Sequence, residues 1–209
     1  MARVSADTRR LQFVEAAARV IANDGLAAAT TRRIAAEAGA NLAALHYCFR
    51  NKDELLQEVY TFLSRDYAQA LPPVNVAGGG LADAMRAHAR RIWERMLLNP
   101  HEQVTTFELL LRRFREKPET EAAVRAQNRI MYEGWIQSTI ELFRDAAAAA
   151  DEDVPENLEL VTRLFISGID GISMQHLADP DPERSAALVD LLSEGLASLL
   201  VQDSTLSAQ

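Results

Sequence analysis

Between Thr30 and Lys52 the chain runs TTRRIAAEAGANLAALHYCFRNK, and this stretch limits what the rest can be. Thr30 is a good N-cap for a helix carrying Ile34, Ala35 and Ala38, and Gly39 supplies a turn where that pattern stops. Asn41 then caps a second helix. In it Leu42, Leu45 and Phe49 fall three and four apart on one apolar stripe, while Ala44, His46 and Tyr47 lie towards the other side. Two short helices joined by a tight turn containing Gly have the helix-turn-helix layout, whose second helix enters the major groove of DNA.

The same residues carry a family resemblance. From about Arg9 to Tyr60 the chain resembles the DNA-binding domain of the tetracycline-repressor (TetR) family, with its TT-x-x-x-IA-x-x-AG turn, a recognition helix ending LY-x-x-F and a Lys opening the next helix. Thr30, Thr31, Ile34, Ala35, Ala38, Gly39, Leu45, Phe49 and Lys52 stand in those places, followed by Asp53, Glu54, Leu55 and Leu56. The chain departs from the pattern at Ala43, His46 and Cys48, which bears on the bases read.

A net charge of -8 looks wrong for a DNA binder until it is divided along the chain. Residues 1–52 hold eight Lys and Arg against four Asp and Glu, a net +4; the remainder holds 14 against 26, a net -12. A phosphate backbone attracts the first segment and repels the second, so the field orients the molecule. One cysteine excludes an intrachain disulfide framework and agrees with a reducing compartment. Without a membrane-length apolar run or the apolar core of a signal peptide, the expected location is the cytoplasm, with no membrane partner.

Periodicity elsewhere is helical. Residues 7–24 form a first helix and Lys52 to about Leu71 a fourth, closed by Pro72 and Pro73; PPVNVAGGG over residues 72–80 reads as a loop. Helices are predicted over Leu81–Leu98, Glu102–Glu116, Glu119–Ala149, Leu158–Leu177 and Ala186–Val201. The expected class is all-α with about nine helices. An N-terminal three-helix helix-turn-helix domain at residues 1–52 would be followed by a helical ligand-binding and dimerisation domain at 53–209.

For DNA, helix geometry and the resemblance select the same side chains. Thr31 at a helix start can donate to phosphate, and Arg32 and Arg33 can reach a guanine edge, Arg32 in the place of the family's base-reading arginine. Asn41, Leu42, Ala43, Ala44 and His46 are groove candidates; Leu42 and Ala44 can make only apolar contacts, so direct readout is modest and DNA shape contributes. Tyr47 and Lys52 match positions that contact phosphate in the family. Cys48 reads as a small space-filling residue rather than a redox switch.

For the body, the resemblance implies a cavity that admits a small-molecule effector. His88, Trp93, Met96, Phe107, Glu108, Tyr132, Trp135, Gln137 and Phe165 are its candidate lining, though any of them can equally be core. His88, His101 and His176 show no metal-ligand spacing, so neither metal nor cofactor is expected. The last two helices are more apolar than a one-sided helix needs. Leu164, Gly168, Gly171, Leu188, Leu191, Leu192, Gly195 and Leu199 are candidates for the four-helix homodimer interface that the resemblance implies.

No nucleophile with a neighbouring base, paired carboxylates or phosphate loop occurs at a usable spacing, which argues against an enzyme. The reading is a ligand-responsive regulator, most naturally a repressor, on a palindromic operator in double-stranded DNA. The competing reading is a helical ligand-binding or scaffold protein that has lost DNA binding. Salt-sensitive binding to a specific duplex separates the two.

Overall fold

The Ser5 hydroxyl accepts from the Thr8 amide at 3.1 Å and opens α1, Ala6–Asp24, which ends where Gly25 turns the chain. The structure, a computed structural model, describes residues 5–69 and 79–206, with side chains over 5–63 and 79–200. Eight further helices follow: α2 Thr31–Glu37, α3 Leu42–Cys48, α4 Lys52–Gln69, α5 Gly80–Leu98, α6 Pro100–Arg112, α7 Pro118–Ala149, α8 Leu158–Ala178 and α9 Pro182–Leu206. A 3-10 turn at Arg113–Arg115 separates α6 from α7, and no strand occurs among the described residues, so the all-α expectation is met. The predicted loop at 72–80 lies outside the described residues except for Gly79 and Gly80.

Prolines account for the main differences in helix limits. α6 begins at Pro100 rather than Glu102, and α9 at Pro182 rather than Ala186. Proline lacks the N–H that the first turn leaves unbonded, so it starts a helix as readily as it stops the one before. At its far end α6 tightens into the 3-10 turn at Arg113 instead of running to Glu116.

The described residues group into two compact units. One contains the chain up to residue 66 with 99–132; the other contains 67–98 with 133 onwards. In the first, α6 packs along α1, and the buried Thr105 hydroxyl donates to the Ala18 carbonyl at 2.7 Å. Tyr60 of α4 donates to the Leu109 carbonyl at 3.2 Å, and burial pushes its phenol up to about 12. Phe13, Ile21, Ile34, Leu45 and Phe49 close the core under α2 and α3, with Phe13 and Phe49 edge to face at 6.4 Å. In the second unit α5, α8 and α9 pack together with the latter part of α7 around Met85, Trp93, Phe143, Phe165, Ile169 and Leu196.

His88 lies within that second core, stacked on Phe165 at 5.6 Å and edge-on to Phe143 at 6.0 Å. Arg91 Nη2 stands 2.8 Å from its Nδ1, and a guanidinium can only donate. Nδ1 is therefore the bare nitrogen, and Nε2 carries the proton towards Thr139 Oγ1 at 3.4 Å. Burial, followed by the Arg91 charge, drives the His88 pKa down to about 3. The ring is neutral.

Candidate nucleic-acid interface

Side-chain caps set the two short helices. Thr30 accepts from the Arg33 amide at 3.2 Å, and Asn41 Oδ1 accepts from the Ala44 amide at 2.8 Å; each cap is worth about 1 kcal/mol. Gly39 takes φ +61° between them, a conformation that a β-carbon disfavours. The turn is thereby fixed.

α3 then divides into an inner and an outer face. Leu45, Cys48 and Phe49 are buried, Leu42 and Ala44 are half-buried, and Asn41, Ala43, His46 and Tyr47 are exposed. Tyr47 keeps 88% of its surface, far more than a ring in a core would. On α2, Thr31 is half-buried at the helix start and Arg32 is exposed. Arg32, His46 and Tyr47 are thus on the solvent side of their helices.

Arg33 differs from Arg32. Its Nε lies 2.9 Å from Asp24 and its Nη1 3.0 Å from Glu37, and Arg19 binds the other Glu37 oxygen at 3.2 Å. These hydrogen bonds, from Arg33 first, hold the Glu37 carboxyl below the usual carboxylate range. Arg33 braces α2 against α1, a use that competes with reaching a guanine edge. Lys52 is also engaged: half-buried, it donates from Nζ to the Leu26 carbonyl at 3.2 Å, and burial lowers its pKa. It ties the start of α4 to the loop after α1.

Arg10 is a positioning residue that the sequence reading missed. It donates to the Cys48 carbonyl at the end of α3, reaches Glu58 at 3.1 Å and lies over the Phe49 ring at 4.4 Å. One guanidinium thus holds α3, its core aromatic and α4. An arginine at an inward helical position beside Phe13 was the available sequence signal. At the α4 start Asn51 Oδ1 accepts from the Glu54 amide at 2.8 Å as the N-cap, and Glu54 in turn accepts from the Arg50 amide at 2.9 Å.

The candidate ligand residues fall in both units. His88, Trp93, Met96, Trp135 and Phe165 are buried in the second, where Gln137 is exposed. Outward-facing Gln137 does not fit its expected role at a ligand's polar end inside the body. Phe107, Glu108 and Tyr132 belong to the first unit, all half-buried, with Glu108 3.6 Å from Arg115.

Among the dimer candidates, Leu164, Leu191 and Leu199 expose 55%, 69% and 43% of their surface. Leu160 and Met174, not singled out in the sequence, add 69% and 56% on α8. Leu188 and Leu192 are half-buried. Gly168 is occupied within the chain, since a β-carbon there would stand 2.5 Å from the Leu192 side chain. A β-carbon on Gly171 or Gly195 would meet nothing within 4 Å. No helix among the described residues is long and apolar enough to cross a membrane, and those residues contain no metal-ligating group of side chains.

Comparison with known proteins agrees with this geometry. Residues 13–59 match the family model described as bacterial regulatory proteins, tetR family, and residues 84–201 match that of the BetI-type transcriptional repressor, C-terminal. The chain is 33% identical over 194 residues to the HTH-type nicotine-responsive transcriptional repressor HdnoR of Paenarthrobacter nicotinovorans, covering 91% of this chain and 94% of that one. Among solved structures it resembles a transcriptional regulator from Rhodococcus sp. Rha1, with a TM-score of 0.69 at 18% identity, covering 93% and 96% of the two chains. It also resembles the transcriptional regulator FadR from Bacillus subtilis in complex with stearoyl-CoA, with a TM-score of 0.62 at 18% identity over 90% and 97%. At those identities the structural likeness is one of fold.

Proposed function

The chain belongs to the TetR family of bacterial regulatory proteins, and from that premise we propose that it is a homodimeric repressor released from a palindromic operator by a small apolar or amphipathic molecule. It is a DNA-binding transcriptional regulator, and the observation that carries the finer reading is the outer face of α3. His46 and Tyr47 are exposed there while Leu45, Cys48 and Phe49 anchor the helix from behind. Residues 1–52 serve as the DNA-binding domain, and 53–209 hold effector and partner. Arg32 reads a base edge, Thr31 and Tyr47 bind phosphate, and Asn41, Leu42, Ala43, Ala44 and His46 face the groove.

The exposed leucines of α8 and α9 support dimerisation, since a face of that kind marks a surface meant to be covered. Two recognition helices about 34 to 36 Å apart then meet two half-sites one DNA turn apart. Effector residues are drawn from the second unit's core, chiefly His88, Trp93 and Phe165. The names of two similar proteins mention nicotine and stearoyl-CoA, both amphipathic. Release requires the effector to bind the DNA-free state better than the bound one. The protein acts in the cytoplasm, where its operator lies.

The test is selection of random duplexes by the purified full chain, followed by isotherms on the winner at two salt concentrations. A palindrome bound by one dimer, with affinity falling steeply as salt rises, is the expected result. No enrichment at low salt from folded protein would overturn it and favour a helical ligand-binding protein that has lost DNA binding.

A further inference from the structure

Where the 3-10 turn meets α7, the first unit carries an open groove of about 420 Å³ lined by Leu110, Arg113, Phe114, Asn128 and Tyr132, with Arg125 and Arg129 beside them. We propose that this groove binds a small organic anion, a carboxylate or phosphate on a compact apolar body, independently of any effector in the second unit's core.

The chain beyond residue 52 carries a net -12, yet three guanidinium groups converge on this groove. Arg125 and Arg129 are exposed, one helical turn apart, and neither makes an ion pair among the described residues. Like charges at that spacing repel, so the pair costs stability unless an anion bridges it. Arg113 has only the weak neighbour Glu121 at 3.8 Å. Planar guanidinium groups match carboxylate and phosphate oxygens two at a time.

An aromatic ring adjoins these cations. Phe114 is 73% exposed, with the Arg113 guanidinium 4.6 Å from its ring centre. An exposed aromatic beside cations offers an apolar plate for the body of a ligand. Asn128 is the buried polar residue of the lining. It is 9% exposed, and its Nδ2 donates to the Leu110 carbonyl at 3.1 Å. That bond fixes the amide orientation and leaves Oδ1 as a buried acceptor without a protein partner. The volume falls within the range of small-molecule sites.

The experiment is calorimetric titration of the full chain, without DNA, with naphthalene-2-carboxylate and with the neutral 2-naphthylmethanol. The carboxylate is expected to bind once per chain and at least about tenfold more tightly than the alcohol. The double variant Arg125→Gln, Arg129→Gln should lose that advantage, again about tenfold, with no fall in melting temperature because a repulsion has been removed. Phe114→Ser, at an exposed position, should weaken both probes and serves if the double variant fails to fold. Absence of carboxylate binding, equal binding of the two probes, or unchanged affinity in the variants would overturn the proposal. Since no operator is present, the outcome is separate from that of the duplex selection.

Discussion

Arg10 donates a guanidinium hydrogen bond to the main-chain carbonyl of Cys48, the last residue of α3. A carbonyl at a helix end has no intrahelical partner, so this bond from α1 closes α3 from outside. The orientation of α3 against the core therefore depends on a side chain 38 residues earlier.

Arg10→Ala should cost about 1 to 2 kcal/mol of folding stability, the usual scale for a charge-assisted bond to a partly buried acceptor plus a lost ring contact. Urea unfolding measures it. Operator affinity should fall as well, although Arg10 need not touch DNA, because the helix loses its outer clamp.

Arg32 and Arg33 should separate cleanly. Arg33→Ala removes the ion pairs with Asp24 and Glu37 and should lower the urea midpoint of unfolding modestly, because the side chain is 40% exposed. Arg32→Ala should leave stability within about 0.5 kcal/mol and weaken operator binding about tenfold. Paired unfolding and binding curves for the two variants check both halves; equal effects on both properties would refute the division.

His88 gives stability a defined pH slope. Its folded pKa lies near 3 against 6.5 as the ordinary value, so the unfolded chain takes up a proton below about 6.5 while the folded chain does not. Stability from this group is complete above the unfolded pKa and declines as pH falls, at up to about 1.4 kcal/mol per pH unit. Between pH 7 and 5.5 the wild type should lose about 1 kcal/mol more than His88→Gln, which keeps an acceptor for Arg91 but does not titrate. Urea midpoints at the two pH values decide it.

Leu191→Glu should convert a dimer to a monomer without loss of helicity. Leu191 is 69% exposed in the single chain, so a carboxylate is tolerated there, whereas burial against a partner copy would penalise it heavily. Sedimentation velocity reports the association state, and operator affinity should drop at least about a hundredfold because two half-sites are no longer bound together. A dimer that persists would remove α9 from the interface.

Much of the architecture was legible in the chain because its signals are local. Thr30 and Asn41 cap because their side chains reach amides three residues on, Gly39 turns because it lacks a β-carbon, and the alternation of buried Leu45, Cys48 and Phe49 with exposed His46 and Tyr47 follows from 3.6 residues per turn. Tertiary structure alone decided which member of a matched pair was engaged. Arg32 and Arg33 are adjacent and chemically identical, but α1 brings Asp24 within reach of only one. Gly168 and Gly171 are equivalent as sequence signals, yet Leu192 packs over the first and leaves the second open. The same holds for α6, which lies along α1 through Thr105 and Ala18, 87 residues apart. A cap or a turn is fixed by atoms a few bonds away, whereas a long side chain takes whichever partner the folded chain carries to it.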